Sequence, residues 1–130
     1  MAKIVYYSQT GQTRKFVEKI KNIESLEITP DHFEIEMAEA FILVMPSYET
    51  NVHPIVIDTA ADFLETADNL SYCKGLFGCG NRNFAELFCI TARTLAEEYD
   101  IPLLHTLEFQ GSPLDVQKME EELLQIDHNH

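Results

Sequence analysis

The sequence predicts a doubly wound α/β fold: a five-stranded parallel sheet in the order 2-1-3-4-5 with helices on both faces. Three observations carry this. Short apolar runs alternate with helical patterns along the chain, which is the signature of a parallel sheet with crossover helices. The run "FILVMP" (Phe41–Pro46) is apolar on both faces, as a strand covered from both sides must be. Right-handed crossovers over five such strands leave few topologies, of which the doubly wound order is the commonest.

In chain order, "KIVYY" (Lys3–Tyr7) is the first strand, and Gly11–Lys21 follows as a helix with Phe16, Val17 and Ile20 on its inner face. "LEIT" (Leu26–Thr29) is a weaker second strand, and Pro30–Ala40 leaves room only for a short or irregular crossing. Phe41–Pro46 is the central strand. His53–Glu65 then repeats Val56, Ala60, Phe63 and Leu64 at helical spacing, with Pro54 in the first turn. "KGLFGCG" (Lys74–Gly80) is the fourth strand, Phe84–Tyr99 a helix with Phe88, Ala92, Leu95 and Tyr99 inward, and Pro102–Phe109 the fifth strand. The last helix has the clearest start: Ser112 as cap, Pro113 in the first turn and Asp115 at the positive end. Val116, Met119, Leu123 and Ile126 face inward, and the tail "DHNH" is expected to fray.

A chain of 130 residues with 45% hydrophobic and 24% charged content is expected to form one globular domain, residues 1–130. The formal net charge of −13 argues against nucleic acid or an anionic membrane as partner and suits a partner with a basic docking patch. The basic residues Arg14, Lys15, Lys19 and Lys21 crowd the first helix, whereas Lys118 alone offsets the acids from Leu95 onward. Three cysteines, Cys73, Cys79 and Cys89, lack metal-type spacing and suit a reducing compartment. "MAKIVYY" has no signal-peptide apolar run, and no stretch approaches the roughly 20 residues of a membrane helix, so a cytoplasmic location is expected.

In a doubly wound sheet, ligands bind beyond the carboxyl ends of the strands at the switch point beside strand one. Three loops meet there: Ser8–Thr13, Ser47–His53 and Gly80–Phe84. The first, inside "YYSQTGQT", offers the hydroxyls of Ser8, Thr10 and Thr13, the amides of Gln9 and Gln12, and Gly11. These groups fit an ordinary helix N-cap or a cradle for an anion. No lysine of the GxxxxGK[ST] type is present, so a monoester phosphate suits the loop better than a triphosphate. The second loop presents Tyr48, whose ring could stack on a planar group or pack on its own loop. In the third, "GCGNRNF", the glycines and asparagines suggest tight backbone geometry, with Asn tolerating left-handed conformations. Arg82 there could pair with an acid or meet a partner. Cys79 has no base beside it and reads as a strand-end packing residue, so redox work at this edge would need a cofactor. No metal site is expected.

At these loops the chain resembles the NrdI family, flavodoxin-like activators of class Ib ribonucleotide reductase. The matching pieces are "VYYSQTGQTRKFVEKI", "FILVMPSYE", "GLFGCGNRNFAELF" and "IPLLHTLEFQGSP", with "GNRNF" the most specific. The resemblance implies a flavodoxin-like fold and FMN as cofactor. Ser8, Gln9, Thr10, Gly11, Gln12 and Thr13 would hold its phosphate. Pro46, Ser47, Tyr48, Glu49 and Thr50 would flank the isoalloxazine on one side, and Gly80, Asn81, Asn83, Phe84 and Phe88 on the other. It further implies that reduced flavin and oxygen yield an oxidant, taken to be superoxide, for the dimanganese-tyrosyl radical cofactor of the radical (beta) subunit, and that a separate flavin-reducing protein recharges it. A general flavodoxin electron carrier is the alternative, disfavoured by "GNRNF". A flavin-free module of response-regulator type would need acids after strand one and an aspartate ending strand three, where this chain has "SQTG" and "MPS".

Two departures from the family pattern stand out. Ala85 replaces a glycine common in relatives, and Glu49, Thr50, Asn51 and Val52 follow "SY" without the glycine that eases a peptide flip beside the flavin. Only Asn51 in that run tolerates positive φ at modest cost. The expected consequence is a poorly stabilised neutral semiquinone. Stepwise reductive titration of the FMN-loaded protein should pass from oxidised to fully reduced flavin with little blue intermediate; accumulation of most of the flavin as blue semiquinone would overturn the expectation.

Overall fold

A computed structural model of the chain describes residues 1–47, 54–83 and 89–129. Five strands, β1 (Lys3–Tyr6), β2 (Ser25–Glu27), β3 (Phe41–Ser47), β4 (Cys73–Gly80) and β5 (Leu103–Glu108), form one sheet in the order β2-β1-β3-β4-β5. Every adjacent pair is parallel. The helices are α1 (Gln12–Glu18), α2 (Pro54–Leu64), α3 (Asn69–Tyr72), α4 (Ile90–Tyr99) and α5 (Pro113–His128). The flavodoxin-like doubly wound architecture expected from the sequence is therefore the architecture observed.

β3 shows why the sheet is covered twice. Phe41, Leu43 and Met45 pack into a core with Val56, Phe63 and Leu95, while Ile42 and Val44 face the opposite core with Phe16, Phe77 and Met119. The period of two along the strand thus feeds two separate layers, α2 and α4 on one side and α1 and α5 on the other.

Several boundaries differ from expectation, each for a local reason. α1 stops at Glu18 rather than Lys21, because Lys19 and Ile20 donate to Phe16 and Val17 in tightened turns and Asn22 adopts φ 63°. The second strand ends at Glu27, and Thr29 instead exchanges backbone bonds with His32 at the start of the helix-free crossing. α4 begins only at Ile90, since Cys89 sits in the left-handed region at φ 55°; residues 84–88 lie outside the described set. The tail expected to fray is helical through His128, and the Asp127 carboxylate accepts the Ala2 N–H at 2.6 Å, joining the last turn to the root of β1. Tyr99 is half-buried as expected of the inner stripe, and its hydroxyl donates to Glu65 just beyond α2 at 2.6 Å.

The short α3 has no counterpart in the sequence-based expectation, and its first residue replaces the missing crossover helix. Asn69 is fully buried. Its amide nitrogen donates to the carbonyls of Ile35 at 2.7 Å and Phe63 at 2.8 Å, and its oxygen accepts the Met37 N–H at 2.7 Å. One side chain thereby supplies partners to an irregular segment that has few ladder bonds of its own.

The α5 cap is reciprocal: Ser112 accepts from the Asp115 N–H at 3.3 Å, and Asp115 accepts from the Ser112 N–H at 2.8 Å. Asp115 also holds the His105 ring of β5 at 2.7 Å. Burial opposes ionisation of Asp115, but the His105 and Ser112 bonds outweigh it and keep the carboxyl below its ordinary range.

Two outcomes follow. Asn69→Ala should lower unfolding free energy by about 2–3 kcal/mol, the cost of leaving buried backbone groups unpaired, as read by urea denaturation. The depressed Asp115 carboxyl contributes stability that is in place above its unfolded pKa of about 3.9 and is lost as pH falls through its lower folded value. The stability gap between wild type and Asp115→Asn should therefore be widest near neutral pH and close in acid, as followed by denaturation at a series of pH values.

Candidate functional site

The register of the sheet brings three loop origins together. β1 ends at Tyr6 opposite Val44, so β3 runs on beyond it to Ser47; Ser47 is paired with Gly80, and Gly80 with Glu108. The loops after β1, β3 and β4 therefore leave the same carboxyl edge from adjacent points.

The first loop decides between cap and cradle. Gly11 occupies the N-cap of α1 at φ 90°, a conformation that favours glycine, and no side chain caps this helix. A Cβ placed on Gly11 would meet nothing within 4 Å, so the space above it is open. Among the described residues, the buried side-chain oxygen and nitrogen atoms without a hydrogen-bond partner are Ser8 Oγ, Gln12 Oε1 and Thr13 Oγ1. An N-cap would have engaged one of these hydroxyls. Buried polar atoms are normally satisfied, and three orphans within six residues of chain need a reason. Hydroxyls and an amide that can present either end are the donors a phosphate monoester requires. Gln9 is half-buried and Thr10 exposed on the same loop.

Two of the cations that follow the loop are engaged elsewhere. Arg14 turns to Glu27 of β2 in a forked pair, with contacts of 2.9 and 2.8 Å from one nitrogen and 3.3 Å from Nε. Lys19 donates to the carbonyls of Gln110 and Gly111 at 3.1 and 3.2 Å. The side chains of the loop Ser8–Thr13 itself are all neutral.

At the end of β3, Pro46 and Ser47 are buried, and the Ser47 hydroxyl lies 2.7 Å from that of Thr91 in α4. At the end of β4, Gly80 is buried, and beyond it Asn81 accepts the Asn83 N–H at 3.0 Å through its side chain. Neither asparagine is left-handed; Asn81 instead forms a side-chain-closed turn, and Gly80 also keeps negative φ. Arg82 pairs with an acid, Glu108 of β5, whose carboxylate meets its Nε at 3.3 Å and its backbone N–H at 3.2 Å. The expected ring-flanking residues Tyr48, Glu49, Thr50, Phe84 and Phe88 lie outside the described residues, as do His53, Ala85 and the run Asn51–Val52. Thr91 and the left-handed Cys89 were missed by sequence reasoning, because a threonine in a helix start carries no signal of a partner 44 residues away.

Thiol chemistry is not what this edge offers. All three cysteines are buried, and burial pushes the Cys73 and Cys89 thiols up to about 12, so neither is a thiolate near neutral pH. Cys79 packs in the core between β4 and α1/α5, as expected of a strand-end packing residue. No cluster of three potential metal ligands occurs among the described residues, and no described helix is long and apolar enough to cross a membrane. A hollow of about 390 Å³ flanks this edge beyond β5, between Arg82, Phe109 and Asp115. Another of about 330 Å³ lies beside Met1 and Tyr72 at the opposite end of the strands, away from the loops.

The family profile described as NrdI flavodoxin-like matches residues 4–121. The chain belongs to the NrdI flavodoxin-like family. It is 34% identical over 126 residues to Protein NrdI of Wigglesworthia glossinidia brevipalpis, covering 89% of this chain and 84% of that one. Among solved structures it is similar to oxidised flavodoxin 2 from Bacillus cereus, with TM-score 0.70 and 20% identity over 99% of both chains. A short-chain flavodoxin associated with a non-canonical PDU bacterial microcompartment aligns with TM-score 0.69 and 13% identity, over 99% of this chain and 98% of that one. At such identities these two likenesses speak to the fold, and family membership rests on the profile and the NrdI relative.

Proposed function

We propose that this chain, acting as one cytoplasmic domain, is an FMN-binding activator of the radical subunit of class Ib ribonucleotide reductase. The observation that carries the cofactor is the group of orphaned buried oxygens on Ser8, Gln12 and Thr13, beside the open space over Gly11. Family membership carries the partner.

Ser8 and Thr13 donate hydroxyl protons to the phosphate, Gln12 turns its NH₂ toward it, and Gly11 allows the backbone to approach closely. Gln9 and Thr10 complete the loop. Pro46, Ser47, Tyr48, Glu49 and Thr50 flank the ring on one side, and Gly80, Asn81, Asn83, Phe84 and Phe88 on the other. Because the Ser47 hydroxyl is already bonded to Thr91, Ser47 offers the ring its main chain. FMN held by these residues and reduced by a separate flavin-reducing protein would supply one-electron reduction of oxygen to superoxide, the oxidant for the dimanganese-tyrosyl radical cofactor of the radical subunit.

Two measurements test the reading. Titration of flavin-free protein should show saturable FMN binding, weakened about tenfold or more by Thr13→Val, with riboflavin, which lacks the phosphate, bound equally by both proteins. Equal loss for both ligands, or no FMN binding, counts against the cradle. The reduced FMN-loaded protein, mixed with oxygen and a manganese-loaded class Ib radical subunit, should generate a tyrosyl radical signal in electron paramagnetic resonance. FMN binding without radical formation would favour a general electron carrier.

A further inference from the structure

We propose that Thr91 is a positioning residue for the flavin site: its hydroxyl and backbone N–H fasten the end of β3 to the start of α4, fixing the roots of the two loops that flank the ring. The proposal rests on the FMN reading above and adds a residue outside the three loops.

Hydrogen-bond directions in the cluster are determined by counting protons. Thr91 Oγ1 donates to the Pro46 carbonyl at 2.6 Å. Having one proton, it can only accept in its 2.7 Å contact with Ser47 Oγ, so Ser47 is the donor there. Ser47 Oγ in turn accepts the Thr91 N–H at 3.0 Å. Every donor is used, and the cluster is sealed, with Ser47 6% and Thr91 3% exposed. In so dry a setting each bond is strong, and each unpaired group costly.

The placement gives the cluster its consequence. Ser47 directly precedes Tyr48, and Thr91 stands three positions after Phe88, so the clamp joins the two chain segments that carry the proposed ring contacts. α4 has no cap of its own, since Cys89 at its N-cap makes no side-chain capping bond; Ser47 supplies that service from another element. A close approach reinforces the position: a Cβ on Gly78 of β4 would lie 2.8 Å from Cys89 Cβ and 3.1 Å from Ala92 Cβ. The start of α4 is therefore pressed on β4 and bonded to β3 at once. Cys89 is held at φ 55°, a conformation that persists only where its surroundings over-determine it.

Loss of the Thr91 hydroxyl should loosen both loop roots and weaken grip on the ring while leaving the phosphate cradle intact. Thr91→Val keeps the shape and removes the donor; Thr91→Ser keeps the donor. In titrations of flavin-free protein, Thr91→Val should weaken FMN and riboflavin by the same factor, about tenfold, whereas Thr13→Val weakens FMN alone. The visible absorption of FMN bound to Thr91→Val should move toward that of free FMN. Thr91→Ser should bind within about twofold of wild type, and Ser47→Ala should resemble Thr91→Val. Wild-type FMN and riboflavin affinity in Thr91→Val, or equal loss in Thr91→Ser and Thr91→Val, overturns the role of Thr91 while the FMN reading stands. Failure of the wild type to bind FMN overturns both.

Discussion

A strand buried on both faces must send its polar groups sideways into its neighbours, and β3 is such a strand, with all seven residues Phe41–Ser47 buried. Its ladders to β1 and β4 satisfy the backbone along most of its length, while its side chains alternate between two cores. The difficulty comes at the carboxyl end, where β1 has already stopped opposite Val44 and the chain must leave the sheet still buried. Pro46 fits this point because it has no N–H to satisfy and β1 no longer flanks it there. Its carbonyl still needs a donor, and Thr91 is that donor. The position of α4, and hence of the segments on either side, follows from a buried strand's need to finish its hydrogen bonds.

The same requirement separates structural polar groups from those of the site. Asn69 is fully buried and makes three bonds; Thr91 and Ser47 are nearly as buried and use every proton they have. The protein thus satisfies buried polar side chains even where partners lie more than thirty residues away. Against that background, orphaned Ser8, Gln12 and Thr13 oxygens on one short loop are the exception. Burying an unpaired hydroxyl costs about 1–3 kcal/mol, and among the described residues that cost is concentrated on this loop. Such a localised departure is what the proposed phosphate site would require.

What was legible in the sequence had local causes. The central strand announced itself through continuous apolar residues, and α5 through Ser112, Pro113, Asp115 and an inner face at helical spacing, all within one or two turns of each other. The first loop was legible as a collection of donors without the lysine of a triphosphate loop. Its choice between cap and cradle was not legible, because it depends on whether Ser8 and Thr13 find partners in three dimensions. The same holds for Asn69, whose bonds to Ile35 and Met37 span 34 and 32 residues, and for the clamp at Thr91. The asparagines of the third loop failed in an instructive way. Their tolerance of left-handed backbone was the feature noted, but Asn81 uses its side chain to close the turn and needs no positive φ.

The charge distribution constrains how the proposed phosphate can be held. With a formal net charge of −13, the field of the whole molecule repels an anion. Of the cations that follow the loop, Arg14 is paired with Glu27 and Lys19 donates to the carbonyls of Gln110 and Gly111. Affinity for a phosphate would then come chiefly from short-range contacts with hydroxyl, amide and backbone donors, of which the buried oxygens of Ser8 and Thr13 are the least exposed to water. Long-range attraction is left for a partner of opposite charge. In the proposed reading the two tasks separate: the loop's neutral donors would hold the cofactor by geometry, while the net negative charge would draw a partner of opposite charge.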